Sequence, residues 1–516
     1  MADPIVPDDA VAAIPSRRRF FAAGAGAVAA LAGASSLAGQ SVGLRGKPLP
    51  TPVGSTVDPS ADWKDPVLRL VRRITMGLEP AEVALARQLG YYGYLEYQLN
   101  ASAIDDSAVD SYIATNLPML SQTTAQLKAA ATAANDNGAE SVSQLRDATL
   151  YRAVFSRRQL KERMVEFWSD HFNIATSKST YYKVADDRDV IRPYVLGKFP
   201  DMVRASATSA AMLLYLDQNT SRTPTPNQNY AREIMELHTL GVDGGYTQDD
   251  VAQLSRILTG WSFDTNGAFT FVTGSHDRTA KLFMGTTYAA MAATATAAQQ
   301  RSEGDAAITQ LVNHANTARY IATKMARWLL AYEPPAAVID ATAAAYLATG
   351  GDIKAMIRTI LTPKNLMAAP AKLKRPFHFA TSFMRATATE VYAARPPRQA
   401  MDQMSQMTFN WEQPDGYPDR VDWWSGLITQ RWSYAQNFAN ANSTTTVRVN
   451  TLTRFRAPVD TAEGVVNQIN LRLFGGEAPT GLKAALLAYL KAGTYSDARV
   501  RETLALAASS NQFQWY

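Results

Sequence analysis

KERMVEFWSDHF, residues Lys161 to Phe172, sets Met164, Phe167, Trp168, His171 and Phe172 on one helical face at i, i+3, i+4, i+7 and i+8. So many large side chains on one stripe read as core, with His171 a core histidine satisfied by local hydrogen bonds. Glu162, Glu166 and Asp170 occupy the other face at i, i+4 and i+8. Like charges at that spacing repel by a few tenths of a kcal/mol, so a solvated face is the default reading. A bound cation or a basic partner from another helix would also relieve the repulsion.

Working outward, the helical pattern recurs along most of the chain. Val67 to Met76 starts it, followed by Pro80 to Leu89 and Tyr91 to Leu99. Ser121 to Glu140 reads as a polar helix with a loose tip at Asn135-Asp136-Asn137-Gly138. Helices are expected at about 147–173, 229–240 and 248–260, again through Arg301 to Leu361, and in the tail near 461–473 and 480–508. The strand signal lies in Phe263 to Gly285, where Asn266-Gly267 reads as a hairpin turn flanked by Phe263, Phe269 and Phe271. No repeat of solenoid length is present. The expected class is all-α, a multi-helix globular domain with a small β-hairpin insert.

Composition narrows the chemistry. The 516 residues are 47% apolar and 19% charged with a net charge of +5, which suits a large globular core. Lys and Arg are interspersed with acids rather than gathered on a tail, so nucleic acid is not an expected partner. The absence of cysteine excludes disulfides, iron–sulfur clusters, thiolate zinc sites and covalently attached c-type haem. Any metal would have to use His, Asp, Glu, Asn or backbone oxygen.

The N-terminus reads as an address. Ser16-Arg17-Arg18-Arg19-Phe20-Phe21 is a twin-arginine box, and Ala22 to Ala34 behind it is rich in Ala and Gly. Ser36-Leu37-Ala38 offers small residues at the two positions a signal peptidase reads. The expected organisation is therefore a signal peptide over 1–38, a Pro/Gly/Ser-rich linker over 39–65, a main helical domain over 66–440 and a C-terminal helical extension over 441–516. The twin-arginine export machinery is the first expected partner. The mature protein is expected to be periplasmic or secreted and, once cleaved, not an integral membrane protein.

Three further blocks can carry chemistry. In Asn227 to Asp250, Asn229, Arg232, Glu233 and Glu236 share one stripe of an amphipathic helix. A charged solvent face explains this, and so does a cleft in which two carboxylates one turn apart do acid/base work or hold a divalent ion. Gly241 ends the helix, and Thr247 to Asp250 forms a capping box for the next. His276-Asp277, after the hairpin, can ligate a metal or join a proton relay. Asn410 to Pro418 with Trp423, Trp424 and Trp432 gathers four of the nine tryptophans, suited to stacking on sugar rings or to packing. Motifs of P-loop nucleotidases, serine hydrolases with a nucleophile elbow and His-Glu-x-x-His zinc proteases are absent.

FWSDHFNI (Phe167–Ile174), RPYVLGKF (Arg192–Phe199), AMLLYLD (Ala211–Asp217), NQNYAREIMELHTLGVDGGYTQDDV (Asn227–Val251), LTGW (Leu258–Trp261), HDRTAKLFMG (His276–Gly285) and Gln413 to Arg431 occur in order. This ordered set, over roughly 66–440, resembles the bacterial family known as domain of unknown function 1800. The resemblance implies an envelope or extracellular role, since members often carry export signals and are frequently encoded beside sulfatase-like proteins. It names no reaction. This chain has Gln228 where the family pattern usually has an acid, and Asp170 where it usually has Asn. Asn229, Arg232, Glu233, Trp261, His276 and Asp277 match the pattern.

The leading expectation is an extracytoplasmic hydrolase or lyase acting on a polysaccharide or other envelope polymer. Glu233, Glu236, Arg232 and Asp277 would be its catalytic groups, with Asn229, Trp261 and Trp423 binding substrate. His276 and Asp277 are the candidate ligands of one divalent metal ion. The competing expectation is a non-catalytic assembly or binding protein working with an exported, sulfatase-like partner.

Overall fold

The computed structural model describes residues 59–516; the twin-arginine box, the signal segment and most of the linker lie outside them. The described chain is all-α, with three two-stranded antiparallel sheets. Among the described residues no helix is long and apolar enough to cross a membrane.

Local sequence accounts for most helix boundaries. Asp65 caps the Pro66–Ile74 helix and Pro66 fills its first turn. Pro80–Leu99 is interrupted at Gly90 (φ +71°), so the two helices expected there are two arms of one kinked element. Thr123 and Gln126 form a capping box on Thr124–Ala134, which ends at Asn135 in the left-handed region. The single helix expected at 147–173 is two, Ala139–Phe155 and Gln159–His171. At the break, Asp106 accepts from the Ser156 hydroxyl (2.7 Å) and the Arg157 amide (2.8 Å). Where two tail helices are expected over 461–508, three form, Ala462–Phe474, Thr480–Lys491 and Asp497–Ser509, and a short fourth, Asn511–Gln514, follows.

The expected hairpin pairs Trp261–Phe263 with Phe269–Phe271 in the register Phe263↔Phe269. Asp264 accepts from the Asn266 and Ala268 amides, and Gly267 takes a positive φ. A second hairpin, unexpected from sequence, pairs Lys281–Phe283 with Thr286–Tyr288 through Met284-Gly285. Both turn residues have positive φ, the requirement of a type I′ turn, and methionine is a rare occupant.

Among the described residues two large apolar cores form most of the interior, with two small clusters around Leu127 and Val109. The first gathers residues between Leu68 and Ala369, including Met164, Phe167, Trp168 and Phe172 from the quoted stretch. The second joins Met76 and Leu150 to Phe377, Phe438, Val447 and Phe513, so the boundary expected near 440 falls inside it. Arg385 ties the cores together: its guanidinium reaches the Gly77 carbonyl (3.0 Å), the Val154 carbonyl (2.8 Å) and the Glu82 carboxylate. Gly77 (φ +128°) is required there, since a Cβ would lie 2.4 Å from Ser382 Cα.

Charge is buried as well. Lys183 Nζ lies 2.7 Å from Asp186 Oδ2, with side chains 1% and 0% exposed. Removing one partner of such a pair strands the other in a low dielectric. Lys183→Met should therefore cost about 3–5 kcal/mol, while Lys183→Met with Asp186→Leu should recover most of it. Denaturant unfolding of both variants checks this, and equal losses in both would contradict it.

Candidate functional site

The Asn229–Glu236 stripe begins on a regular helix, Gln228–Glu233, capped by the Asn227 side chain. After Glu233 the backbone becomes a π-helix, Ile234–Thr239, closed by the Thr239 hydroxyl on the Ile234 carbonyl (2.6 Å). Such turns are rare and recur at functional sites. Of the expected stripe only Glu236 falls within the wider turn; Asn229, Arg232 and Glu233 precede it. Asn229 is exposed and its amide donates to the Leu216 carbonyl (3.2 Å). Arg232 donates to Gln248 Oε1 (2.9 Å), while Glu233 is buried and Glu236 half-buried.

These carboxylates face three phenols and a loop from elsewhere in the sequence. The loop around 411–417 is latched in place: Tyr215 donates to the Glu412 carbonyl (2.8 Å), and the Asn173 amide to the carbonyls of Trp411 (2.8 Å) and Gln413 (2.6 Å). Gly416 (φ +76°) presses on the end of the Gln159–His171 helix, where a Cβ would meet the Asp170 carbonyl at 2.2 Å. Tyr320 donates to the Leu237 carbonyl (3.1 Å). Burial, then the charges of Glu236 and Glu233, pushes the Tyr246 phenol up to about 12. Burial also raises Tyr320, with Asp415 and Glu236 adding to it, and raises Tyr215, with Glu412 and Asp415 adding.

Lys324 stands in this setting. It is half-buried, one turn after Tyr320, with its ammonium 5.6 Å from the Tyr320 ring centroid. It makes no hydrogen bond or ion pair with any described residue. Burial lowers it to about 8, while the charges of Asp170 and Asp415 pull the other way. Trp411, in the same loop, meets Trp423 edge to face at 5.5 Å, and Trp423 is 51% exposed.

Beneath the loop lies the carboxylate row of the quoted stretch. Basic partners relieve its repulsion, so the row is not a solvated face. Arg192 bridges Glu162 (3.1 Å) and Asp187 (2.7 Å), Arg163 takes Glu166 (2.8 Å), and Arg375 takes Asp170. Burial raises Asp170 to about 6 against the opposing charge of Arg375, with Glu166 adding to the rise. A cavity of about 40 Å³ lies against the row, lined by Glu162, Glu166, Ser169, Asp170, Asn173 and Tyr417 among others. That is room for more than one water molecule. Glu166 Oε1 and the Ser169 hydroxyl, on its wall, form no hydrogen bond with any described residue.

His276, Asp277 and Trp261 belong to a different constellation. His276 Nδ1 lies 2.9 Å from the Thr259 carbonyl, and Nε2 lies 3.3 Å from Glu303, which also takes Lys281 Nζ at 2.7 Å. Asp277 accepts from Arg256 Nε (2.7 Å) and from the Thr279 hydroxyl (2.6 Å) and amide (2.9 Å). Although burial opposes it, these donors, Arg256 first, hold its carboxyl down at about 2. Trp261 is 1% exposed and abuts Gly304, where a Cβ would lie 2.4 Å from the ring, so it offers no stacking face to a substrate. Together these residues clamp the hairpins to the Gln248–Ile257 and Ala297–Val312 helices. Among the described residues no group of three or more His, Asp and Glu is placed to hold a metal ion, so the expected divalent ion has no ligand set at His276-Asp277.

Of the expected site residues, Glu233 and Glu236 lie near the phenols of Tyr215, Tyr246 and Tyr320, Trp423 packs on Trp411, and Arg232 and Asn229 bond to Gln248 and the Leu216 carbonyl. Asp415 and Lys324 join this neighbourhood through Tyr215 and Tyr320. Tyr215 and Asp415 sit inside blocks already singled out by sequence. Tyr320 and Lys324 carry no local signal, since they occupy an ordinary amphipathic helix, Ala315–Leu329.

The fold is all-α, and two polar groupings drawn from distant segments stand apart in it, one under the 411–417 loop and one at the hairpins. The family model "Protein of unknown function (DUF1800)" matches residues 69–515, and the chain belongs to that family. The match continues through the tail helices, beyond the span over which the sequence blocks show the resemblance. No curated protein and no solved structure matches the chain.

A clamp role for Asp277 has a pH signature. Its folded pKa lies below the unfolded value, so its contribution is present above about pH 4 and is lost as pH falls towards 2. Asp277→Asn should cost about 1–3 kcal/mol at pH 7, with the difference from the parent shrinking as pH drops below 4. Urea melts across that range check it, and a difference that does not change with pH would contradict it.

Proposed function

We propose that the protein is exported through the twin-arginine route and acts outside the cytoplasm as a hydrolase or lyase, on a polysaccharide or another envelope polymer lying in the Glu233–Glu236 cleft. The observation that carries the reading is the half-buried Lys324 ammonium, left without an ion pair among carboxylates and phenols drawn from five separate segments. A cation kept in a cleft without a fixed partner is suited to an incoming oxygen. Acids outnumber bases around it, so an uncharged polymer suits the cleft better than a polyanion. Glu236, between Tyr246 and Tyr320, is the candidate general base, with Glu233 beside it. Trp411 and Trp423 offer faces for sugar rings.

The second reading is a non-catalytic assembly protein working with an exported, sulfatase-like partner. It draws support from the clamp at His276 and Asp277, where residues matching the family pattern act as structural ties. Buried polar networks can demand their residues as strictly as catalysis does.

Three outcomes follow. Replacing Arg17 and Arg18 by Lys should leave the uncleaved precursor in the cytoplasm, checked by fractionation and intact mass. On a polymer found by a broad glycan screen, Glu236→Gln should lower kcat by at least about 100-fold with the fold intact. Binding through the Lys324 ammonium should be full below about pH 8 and decline above it, a dependence absent from Lys324→Met. Full activity in both cleft variants would sink the enzymatic reading. Co-purification with a stoichiometric partner, without turnover, would favour the assembly role.

A further inference from the structure

A second cavity, of about 20 Å³, lies where the chain's last residues pack on the start of the Pro376–Ala386 helix; Trp63, Arg72, Lys374, His378, Phe513 and Tyr516 are among its walls. Its charge is one-sided. Lys374 is 6% exposed, its ammonium 3.8 Å from the Phe513 ring centroid, and it meets no carboxylate and no hydrogen-bond acceptor among the described residues. Arg72 is already engaged by Glu477 and the Phe474 carbonyl. Two nearby guanidiniums add charge without bringing a carboxylate. Arg73 bonds to the carbonyls of Leu330, Pro370 and Tyr516, and Arg431 to Gln514 Oε1 (3.0 Å) and the Lys374 carbonyl (2.7 Å). His378 is 1% exposed, edge-on to Tyr516 at 4.4 Å; the Thr75 backbone gives it a weak contact only, and neither ring nitrogen makes a hydrogen bond of good geometry.

An ammonium taken out of water with no counter-charge is strongly unfavourable, and breaking the balance of a buried pair is among the most destabilising changes a fold suffers. A His N–H beside it is a donor without an acceptor. Both deficits are met by one anion between them. The volume sets its size: a water-sized species needs roughly 10–15 Å³ by the same measure, so one such species fits and a tetrahedral oxyanion does not. We propose that this cavity binds a single small monovalent anion of halide size, held by the Lys374 ammonium and a His378 ring N–H, with Arg72 adding positive charge.

The test uses the full mature protein. Crystals soaked in sodium bromide should give an anomalous peak in contact with Lys374 Nζ. In solution, replacing sodium gluconate by sodium chloride at constant ionic strength should raise Tm by about 2 °C or more. The increment should vanish in Lys374→Met and shrink in His378→Phe, while sulfate should give none. A map without bromide at this place, or a Tm rise that survives Lys374→Met, overturns the proposal. So does equal stabilisation by sulfate, which would mark a general salt effect. If Lys374→Met fails to fold, the bromide map of the parent protein decides.

Discussion

Three carboxylates on one helix, Glu162, Glu166 and Asp170, are folded inward with side chains only 6%, 13% and 20% exposed. Taking such groups out of water is costly unless each meets a cation and further hydrogen bonds. The fold answers with Arg192, Arg163 and Arg375, and Arg375 arrives from a segment more than two hundred positions away. Meeting that demand fixes how distant parts of the chain dock. Arg192 comes just after the Asp187–Ile191 π-helix, and Arg375 just before the helix that seeds the second core.

The same row explains why a cavity and a cleft adjoin. Its inner side leaves Glu166 Oε1 and the Ser169 hydroxyl on the wall of a largely apolar cavity. Its outer end, at Asp170, is capped by the 411–417 loop, whose Gly416 admits no side chain against the helix. That loop brings Glu412, Asp415 and the Trp411–Trp423 pair up to Tyr215, Tyr320 and Lys324. The apolar face of the helix, through Trp168 and His171, meanwhile anchors it in the first core; His171 Nε2 lies 3.1 Å from the His238 carbonyl. One helix thus builds both core and site.

Periodicity made the helical class, the core face of Met164 to Phe172 and the Asn266-Gly267 turn legible in the sequence, because those depend on neighbours a few residues apart. Breaks were harder to see. The stop between Phe155 and Gln159 rests on Asp106 accepting from Ser156 and Arg157, a contact across some fifty positions with no local trace. The π-turn after Glu233 has no local trace either: Asn229, Arg232 and Glu233 keep the 3.6-residue period, and only Glu236 falls in the wider turn. His276 and Asp277 read in the sequence as candidate metal ligands or a proton relay, and their partners, Glu303, Arg256 and Thr279, tie the hairpins down through contacts no local pattern reveals. Lys324 was invisible because a lysine on an amphipathic helix looks solvated until tertiary packing encloses it.

The docking of the 411–417 loop and of Arg375 depends on the carboxylate row being desolvated yet charge-balanced, and Asp170 is where the two effects oppose most openly. Its side-chain carboxyl carbon, labelled with ¹³C and assigned by difference against Asp170→Asn, can be followed by NMR through a pH titration. The account predicts a midpoint near 6, burial outweighing the neighbouring guanidinium. A midpoint at or below about 4, the range of a solvated or simply salt-bridged aspartate, would contradict it: burial would then not outweigh the guanidinium, and the row would not be desolvated as the account requires.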